Sequence, residues 1–241
     1  MNRKQYKILL VILIAIVIIN TAFIISADSN VYSTEEIGTN VNGTVYKITA
    51  GNNQSEDVVT LILGIHPREH QIHEAVNSTL ADICGEDGSQ NLTKKYVIYY
   101  VDINDNITSR EDTRPAGEGL ASQFIVPNIK SDNPFIVVDI HEIDATYEYA
   151  NFIYSISNTT EGNEYAQEIA EKIDVAQFNF TEGTSPEKVT IPIAEQGVTT
   201  LLFETSTINS YDEKMDVARS LIYALDNLQP RWILWKQIEE F

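Results

Sequence analysis

A histidine and a carboxylate stand three residues apart directly after an apolar run of β type. His66 and Glu69 follow the run Val58–Ile65, within the string GIHPRE at residues 64–69. Imidazole nitrogen and carboxylate oxygen both bind zinc, and catalytic zinc usually takes three protein ligands and leaves a fourth position for water. The spacing therefore predicts two ligands of a metal site, and a third must come from elsewhere in the chain.

His141 is the best candidate for the third ligand. It ends a second apolar run, Phe135–Ile140, so it would stand at the carboxyl end of a strand, as would the first motif. In open α/β sheets that edge is where ligands bind. The alternative is that these are chance polar residues at strand ends, without a metal.

The same string also fits a different metal motif. In the inverted zincin pattern His66-x-x-Glu69-His70, both histidines bind zinc and the glutamate is the base. That pattern works only if the whole stretch is helical. A glycine and a proline flank His66, so the stretch predicts a strand-to-loop turn, with a helix beginning only near Gln71. On that prediction His70 and His73 lie at the surface or behind the ligands.

The GIHPRE string resembles the zinc signature of the carboxypeptidase A type metallocarboxypeptidases, whose relatives include the succinylglutamate desuccinylase and aspartoacylase group. The late segment GVTTLLFE, at 197–204, resembles the strand that ends in the catalytic glutamate of that superfamily. The resemblance spans roughly residues 58–227. It implies one Zn²⁺ held by His66, Glu69 and His141, with Glu204 as the general base.

Three of the six arginines fall beside the predicted ligand loops. The asparagine-rich stretch 104–110 resembles the family loop that leads to an arginine polarising the scissile carbonyl, which implies Arg110 for that role and Arg114 as the alternative. Arg68 matches a substrate-contacting position, and we expect Arg68 and Arg114 to bind substrate. Guanidinium groups bind carboxylates and stabilise oxyanions. The alternative is surface arginines paired with Glu111, Asp112 and Glu118.

Two departures leave carboxypeptidase specificity open. The Asn-Arg pair that grips the terminal carboxylate of a substrate in true carboxypeptidases is missing. His141 is followed by Glu142, where the peptidases usually have a small residue. Glu142 is therefore a competitor of Glu204 for the role of base. Neither departure touches the predicted ligands.

The first 27 residues read as a signal peptide or an N-terminal membrane anchor. Arg3, Lys4 and Lys7 precede an apolar stretch, Ile8–Ile25. Its length lies between that of a cleavable apolar region, about 7–15 residues, and that of a membrane-spanning helix, about 20 residues. The positive flank places residues after about Ser26 outside the cytoplasm, either anchored to the membrane or secreted.

Seven glycosylation sequons agree with export and predict a glycoprotein. The least suited to carry a glycan is Asn106, because it lies in the predicted active-site loop. The acceptor asparagines are Asn42, Asn53, Asn77, Asn91, Asn106, Asn158 and Asn179.

The charge excludes nucleic acid as a partner. The chain has 16 basic and 35 acidic residues, a net charge of −19. Removing the three leader cations leaves 13 basic residues and a net charge of −22, so no basic face can neutralise phosphates. The single cysteine, Cys84, cannot form an intramolecular disulfide, and its apolar neighbours at helical spacing predict a core residue.

Alternating strands and helices predict one α/β domain. Residues 28–57 are polar, with turn signals, and predict a stalk plus one edge strand; residues 58–241 form the hydrolase-like domain. Crossovers of helical length imply a mixed, mainly parallel sheet with helices on both faces. The predicted strands are 58–65, 95–103, 135–140, 152–156 and 199–203, with a short extended piece at 175–180, and the predicted helices are 71–84, near 117–125, 161–172 and 211–228.

The function expected from these features is a zinc-dependent hydrolase outside the cytoplasm. It would cleave an amide bond in a small peptide or acyl-amino acid, and it would contact the membrane through its N-terminal segment. The rival is a non-catalytic surface protein that keeps the fold for binding.

Overall fold

The computed structural model describes residues 30–85, 91–147, 149, 151–178 and 186–231. Within these residues the chain forms one eight-stranded sheet and five α-helices. The leader predicted at 1–27 and the sequon asparagine Asn179 lie outside the described residues.

The sheet is mixed, with a parallel centre. The strands are β1 Asn30–Asn40, β2 Gly43–Asn52, β3 Val58–Leu63, β4 Lys95–Ile103, β5 Ile136–Ile143, β6 Phe152–Ser155, β7 Ala176–Gln177 and β8 Thr200–Ser206. Their order in the sheet is β1-β2-β4-β3-β5-β8-β6-β7. Strands β4, β3, β5 and β8 run parallel, as do β6 and β7, while the pairs β1/β2, β2/β4 and β6/β8 are antiparallel.

The helices follow the strands along the chain and begin at polar caps. Ser109, Thr159 and Ser210 each accept a hydrogen bond from a backbone N–H in the first turn of the helix that follows them. The helices are α1 His70–Cys84, α2 Arg110–Leu120, α3 Thr160–Ile173, α4 Ile191–Ala194 and α5 Tyr211–Asp226. Shorter helical pieces are 3₁₀ turns at Pro67–Glu69 and Ile129–Asp132 and π-helical turns at Ala121–Ile125 and Pro186–Thr190.

Apolar side chains on both faces of the sheet are buried under helices. On one face, strand residues such as Leu61 and Val138 pack in a cluster with α1, α3 and α5, and Cys84 belongs to this cluster as predicted. On the other face, Ile62 and Val137 pack with residues of α2, α4 and the turns beside them. The predicted fold class, a single mixed and mainly parallel sheet covered on both faces, is confirmed.

Residues 28–57 differ from the predicted stalk with one edge strand. The described part, from Asn30, forms two long antiparallel strands that extend the sheet beside β4. The Tyr32 hydroxyl donates to Asn77 Oδ1 of α1 at 2.8 Å, which fixes β1 to the domain. The prediction failed because Thr34, Glu35 and Glu36 point to solvent and make an edge strand look like a polar linker.

Helix α2 begins at Arg110, earlier than the start predicted near Gly117. Pro115 and Gly117 look like helix breakers in the sequence, but both lie inside the helix. A Cβ on Gly117 would lie 1.9 Å from the carbonyl oxygen of Ile65, so only glycine lets α2 approach the chain just after β3. The helix therefore packs directly against the residue that precedes His66.

Candidate metal centre

Three neighbouring parallel strands bring the predicted site residues to one edge of the sheet. His66 follows β3, His141 lies in β5 and Glu204 lies in β8. His141 and Glu204 are direct partners in the β5/β8 register. Both strands continue beyond the predicted ends, to Ile143 and Ser206, so these two side chains project from within strands.

The Glu69 carboxylate lies between the two histidines. Its Oε1 is 3.0 Å from His66 Nδ1, and its Oε2 is 2.8 Å from His141 Nδ1. One potential ligand atom from each of the three residues lies within 4.8 Å of the others, and all three residues are buried. The structure thus brings together the three residues predicted as ligands.

A second carboxylate lies behind each histidine. Glu118 Oε1 is 3.4 Å from His66 Nε2, and Asp139 Oδ1 is 3.0 Å from His141 Nε2. In the metal-free structure the Nδ1 atoms are hydrogen-bond partners of the Glu69 oxygens. Burial alone would lower the pKa of His141, but Asp139 and Glu69 raise it well above its usual value. When Nδ1 binds a metal ion instead, a carboxylate at Nε2 holds the ring proton there. Two neutral imidazoles and one carboxylate form the donor set of many catalytic zinc sites, so the residues fit the metal.

Charge and burial shift the pKa values of the carboxyl groups in this centre. Burial alone would raise the pKa of Glu69, but hydrogen bonds from His141 and His66 hold it well below its usual range. Burial, with the nearby charges of Glu69 and Asp139, raises the pKa of Glu204 to about 8 despite the opposing effect of His141. Glu204 is 7% exposed, and its Oε2 has no hydrogen-bond partner among the described residues. Its proton affinity is therefore far higher than that of Glu69.

Arginine side chains line the cavity beside the ligands. The Arg114 Nη1 atom lies 3.2 Å from His66 Nδ1 and 3.5 Å from Glu69 Oε1. Arg68 and Arg110 line the same cavity of about 130 Å³ and form no ion pair within 4 Å among the described residues. Arg114, the alternative to Arg110 for the carbonyl-polarising role, is thus the arginine that touches the ligand residues. The alternative, in which the arginines pair with neighbouring acidic residues, is not seen for Glu111 or Asp112 in the described part of the chain, and Glu118 contacts His66 and Lys188.

Glu142, the competitor for the role of base, has other partners. Its Oε1 lies 3.0 Å from the ammonium of Lys214, which is fully buried, and accepts the backbone N–H of Ile72 at 2.8 Å. These contacts tie the end of β5 to α1 and α5. Glu142 also lines the cavity, but its contacting oxygen is engaged in this ion pair.

The inverted zincin arrangement does not form. His70 begins α1 and is exposed, and within the described residues the convergent ligand group is His66, Glu69 and His141. His73 is buried behind the site, with Nε2 2.8 Å from the Ile140 carbonyl oxygen, and burial lowers its pKa to about 4. His73 therefore fixes the backbone just before His141 as a neutral ring.

Three residues of the centre were missed by the sequence analysis: Glu118, Asp139 and Lys214. Asp139 could have been found, because it lies two residues before His141 on the same face of a strand and is the only charged residue in an apolar run. Glu118 and Lys214 carry no such signal, since their helices reach the centre only through the tertiary fold.

The fold is shared with solved metallopeptidase structures. The chain is similar to a metallo-carboxypeptidase from Burkholderia cenocepacia (TM-score 0.58, 14% identity, 83% of this chain and 65% of that chain). It is also similar to the murein-tripeptide amidase MpaA from Escherichia coli O157 (TM-score 0.53, 12% identity, 85% and 96%) and to an aspartoacylase family protein from Mesorhizobium loti (TM-score 0.50, 14% identity, 84% and 63%).

No family model and no curated protein matches the sequence. The chain spans 65% of the length of the Burkholderia enzyme that it matches. At these identities the likeness shows the fold: the protein has the zinc carboxypeptidase-like α/β fold, and the resemblance drawn from its motifs is confirmed at that level.

None of the helices in the described part of the chain has the length and apolar character needed to cross a bilayer.

Proposed function

We propose that this protein is a zinc-dependent hydrolase that cleaves an amide bond in a small peptide or acyl-amino acid. The observation that carries the proposal is the convergence of His66 Nδ1 and His141 Nδ1 on the two oxygens of Glu69. Glu204, on the next strand, supplies a carboxylate beside this set. The fold shared with carboxypeptidase and amidase structures supports the same class of reaction.

His66, Glu69 and His141 would hold the zinc ion. A bound zinc ion supplies Lewis acidity, which lowers the pKa of a water molecule and polarises a carbonyl group. With the ion held at the two Nδ1 atoms, Glu118 and Asp139, which lie 3.4 Å and 3.0 Å from the Nε2 atoms, would accept the Nε2 protons of the two histidines.

Glu204 acts as the general base. Its carboxylate accepts a proton from the attacking water and returns it to the leaving nitrogen, which a carboxyl group with a raised pKa does well near neutral pH. The pKa of Glu204, about 8 in the metal-free protein, reflects its burial and the nearby carboxylates. Glu204 would have a lower pKa beside a bound cation.

Arg114 stabilises the negative charge that develops on the carbonyl oxygen. Its guanidinium contacts His66 Nδ1 and Glu69 Oε1 in the metal-free protein, and it would turn from these atoms to the nearby carbonyl oxygen when they hold the ion. Arg68 and Arg110 lie at the same cavity and would bind an anionic group of the substrate, because they form no ion pair within the described residues and the protein is otherwise strongly acidic. We propose that the site works outside the cytoplasm, anchored or secreted, as the leader predicts.

Turnover of a panel of dipeptides and N-acyl amino acids tests this function. The zinc-loaded protein should release product, a chelator should abolish release, and added zinc should restore it. Substrates with a carboxylate should be preferred over their neutral amides, and Arg68→Ala should reduce that preference while the exposed Arg219→Ala does not. A protein that retains zinc and hydrolyses no amide would instead be a binding protein with the hydrolase fold.

A further inference from the structure

One short segment contacts both of the carboxylates that lie behind the histidines. Lys188 and Thr190 are two residues apart in the π-helical turn Pro186–Thr190, which leads into α4. Lys188 Nζ lies 2.7 Å from Glu118 Oε2, and Thr190 Oγ1 donates to Asp139 Oδ2 at 3.0 Å. The other oxygens of these carboxylates face His66 and His141.

We propose that Lys188 and Thr190 are positioning residues for the metal ligands and that Pro186–Thr190 is a common support for both histidines. This inference rests on the proposed metal site. Each support is a chain of three side chains: Lys188, Glu118 and His66 on one side, and Thr190, Asp139 and His141 on the other. Lys188 and Thr190 contact the centre at these carboxylates, so each acts through its carboxylate.

The segment is held rigidly enough to serve this role. Val189, between the two residues, is fully buried in the core cluster with Ile62 and Val137, and Thr190 is fully buried as well. The carboxylates are also enclosed: the side chain of Glu118 is 2% exposed and Asp139 is fully buried. A buried carboxylate needs partners for both oxygens. The half-exposed Lys188 and the buried Thr190 supply one partner each, and so hold each carboxyl group against the Nε2 atom of its histidine.

Zinc affinity, measured by competition with a chromophoric chelator, tests the proposal without relying on activity. The removal of partners behind a metal-binding histidine typically weakens metal binding by about 10- to 100-fold. We expect the double variant Lys188→Met/Thr190→Val to bind zinc about 10-fold more weakly, at the lower end of that range. The effect is smaller because the altered residues contact the carboxylates and not the histidines themselves. Lys188→Arg and Thr190→Ser keep the donor groups and should bind zinc as the unaltered protein does.

Two matched controls separate positioning from general stability. Thr200→Val removes a buried threonine hydroxyl that donates to the Val198 carbonyl, and Lys172→Met breaks a half-exposed ion pair with Glu168. Neither contacts a carboxylate behind a histidine, so both should leave zinc affinity unchanged even if the metal-free protein unfolds more easily.

Variant cycles identify the route of the effect. In an Asp139→Asn background, Thr190→Val should not weaken zinc binding further, whereas Lys188→Met should still weaken it. In a Glu118→Gln background, Lys188→Met should have no further effect, whereas Thr190→Val should still weaken zinc binding. Unchanged zinc affinity in the double variant, or a full effect of Thr190→Val in Asp139→Asn, would overturn the inference and leave the proposed function standing. Absence of zinc binding in the unaltered protein would overturn both.

Discussion

Two buried glutamates beside the ligand set differ in their partners, and this difference separates their roles. Glu142 accepts the Ile72 N–H and pairs with the buried ammonium of Lys214. Glu204 has an oxygen without a hydrogen-bond partner among the described residues and a pKa raised to about 8 by burial and neighbouring carboxylates. A carboxylate held in an ion pair is a poor base, whereas one with high proton affinity is suited to exchange a proton near neutral pH.

We expect Glu204→Gln to keep zinc bound and to lower kcat by about 10²–10⁴-fold, the range for lost general-base catalysis. Glutamine keeps the size of the side chain but cannot accept the proton. The measurement is turnover of a working amide substrate together with zinc content. Near-normal turnover in Glu204→Gln, with loss in a folded Glu142→Gln protein, would assign the base to Glu142 instead.

At this scale the sequence predicts the residues that stand in motifs and misses those that reach the site from a distance. His66, Glu69, His141 and Glu204 follow strand-like runs, and parallel strands must bring such positions to one edge. The choice between Arg110 and Arg114 depends on where α2 begins, which the proline and glycines of that helix obscure. Glu118 and Lys188 meet only because α2 and the turn before α4 pack on the same face of the sheet.

At the scale of elements, a buried ion pair joins the strand and helices around the centre. Lys214 lies near the start of α5, pairs with Glu142 at 3.0 Å and donates to Gln71 Oε1 at 3.1 Å. Because Ile72 also bonds to Glu142, the end of β5 is held to the first turn of α1 and to α5 at a single point.

Loss of one partner of this pair should be strongly destabilising. We expect Lys214→Met to lower the free energy of unfolding by about 3–5 kcal/mol, because a buried carboxylate is left without its counter-charge. The double variant Glu142→Gln/Lys214→Met should recover part of that loss, since neither charge is then buried alone. Denaturant unfolding of the metal-free proteins measures both. A Lys214→Met protein as stable as the unaltered one would show that the pair contributes nothing to the fold.

Close packing of α2 on the end of β3 predicts opposite effects at two glycines of the same helix. Gly117→Ala would place its Cβ 1.9 Å from the Ile65 carbonyl oxygen and force the helix outwards, at a cost of about 1–3 kcal/mol for overpacking. Gly119 has no neighbouring atom within 4 Å of such a Cβ, so Gly119→Ala should stabilise the helix by about 0.5–1 kcal/mol.

Thermal or denaturant unfolding of the two alanine variants is the measurement, and zinc affinity should fall only in Gly117→Ala, because α2 carries Arg114 and Glu118. Equal stability of the two variants would mean that α2 does not pack closely against the chain at Ile65.

The elements themselves were largely predictable where a periodic apolar pattern was present. Strand β4 agrees with the predicted limits, and α1, α3 and α5 lie within two residues of them. The β1 strand and Pro186–Ala194 were missed for physical reasons. The first is an edge strand with polar side chains, and the second is a short helical piece whose burial depends on contacts with the sheet.

At the scale of the whole molecule, a strongly acidic protein concentrates arginines at one cavity. The net charge is −19, yet three of six arginines line the cavity beside the ligand set. Glu69, Glu142 and Asp144 line the same cavity, so its guanidinium groups, and not a net positive charge, would pair with an anionic group of the substrate. The arginines support the proposal of a small anionic substrate in this sense.

The charged and apolar leader predicts that the domain lies outside the cytoplasm. Protease added to intact cells should therefore digest the domain, and a cytoplasmic marker protein in the same cells should be spared. Full protection in intact cells, with digestion only after lysis, would contradict this location without touching the proposed chemistry.

Zinc content of the purified protein tests the central claim most directly, because His66, Glu69 and His141 are the three proposed ligands and could hold a metal ion. After dialysis against trace zinc, the unaltered protein should hold about one zinc per chain. His66→Ala and His141→Ala should each lose it, while His70→Ala, which changes an exposed histidine beside the motif, should keep it. Stoichiometric zinc in both His66→Ala and His141→Ala, or its loss in His70→Ala, would contradict this account of the centre.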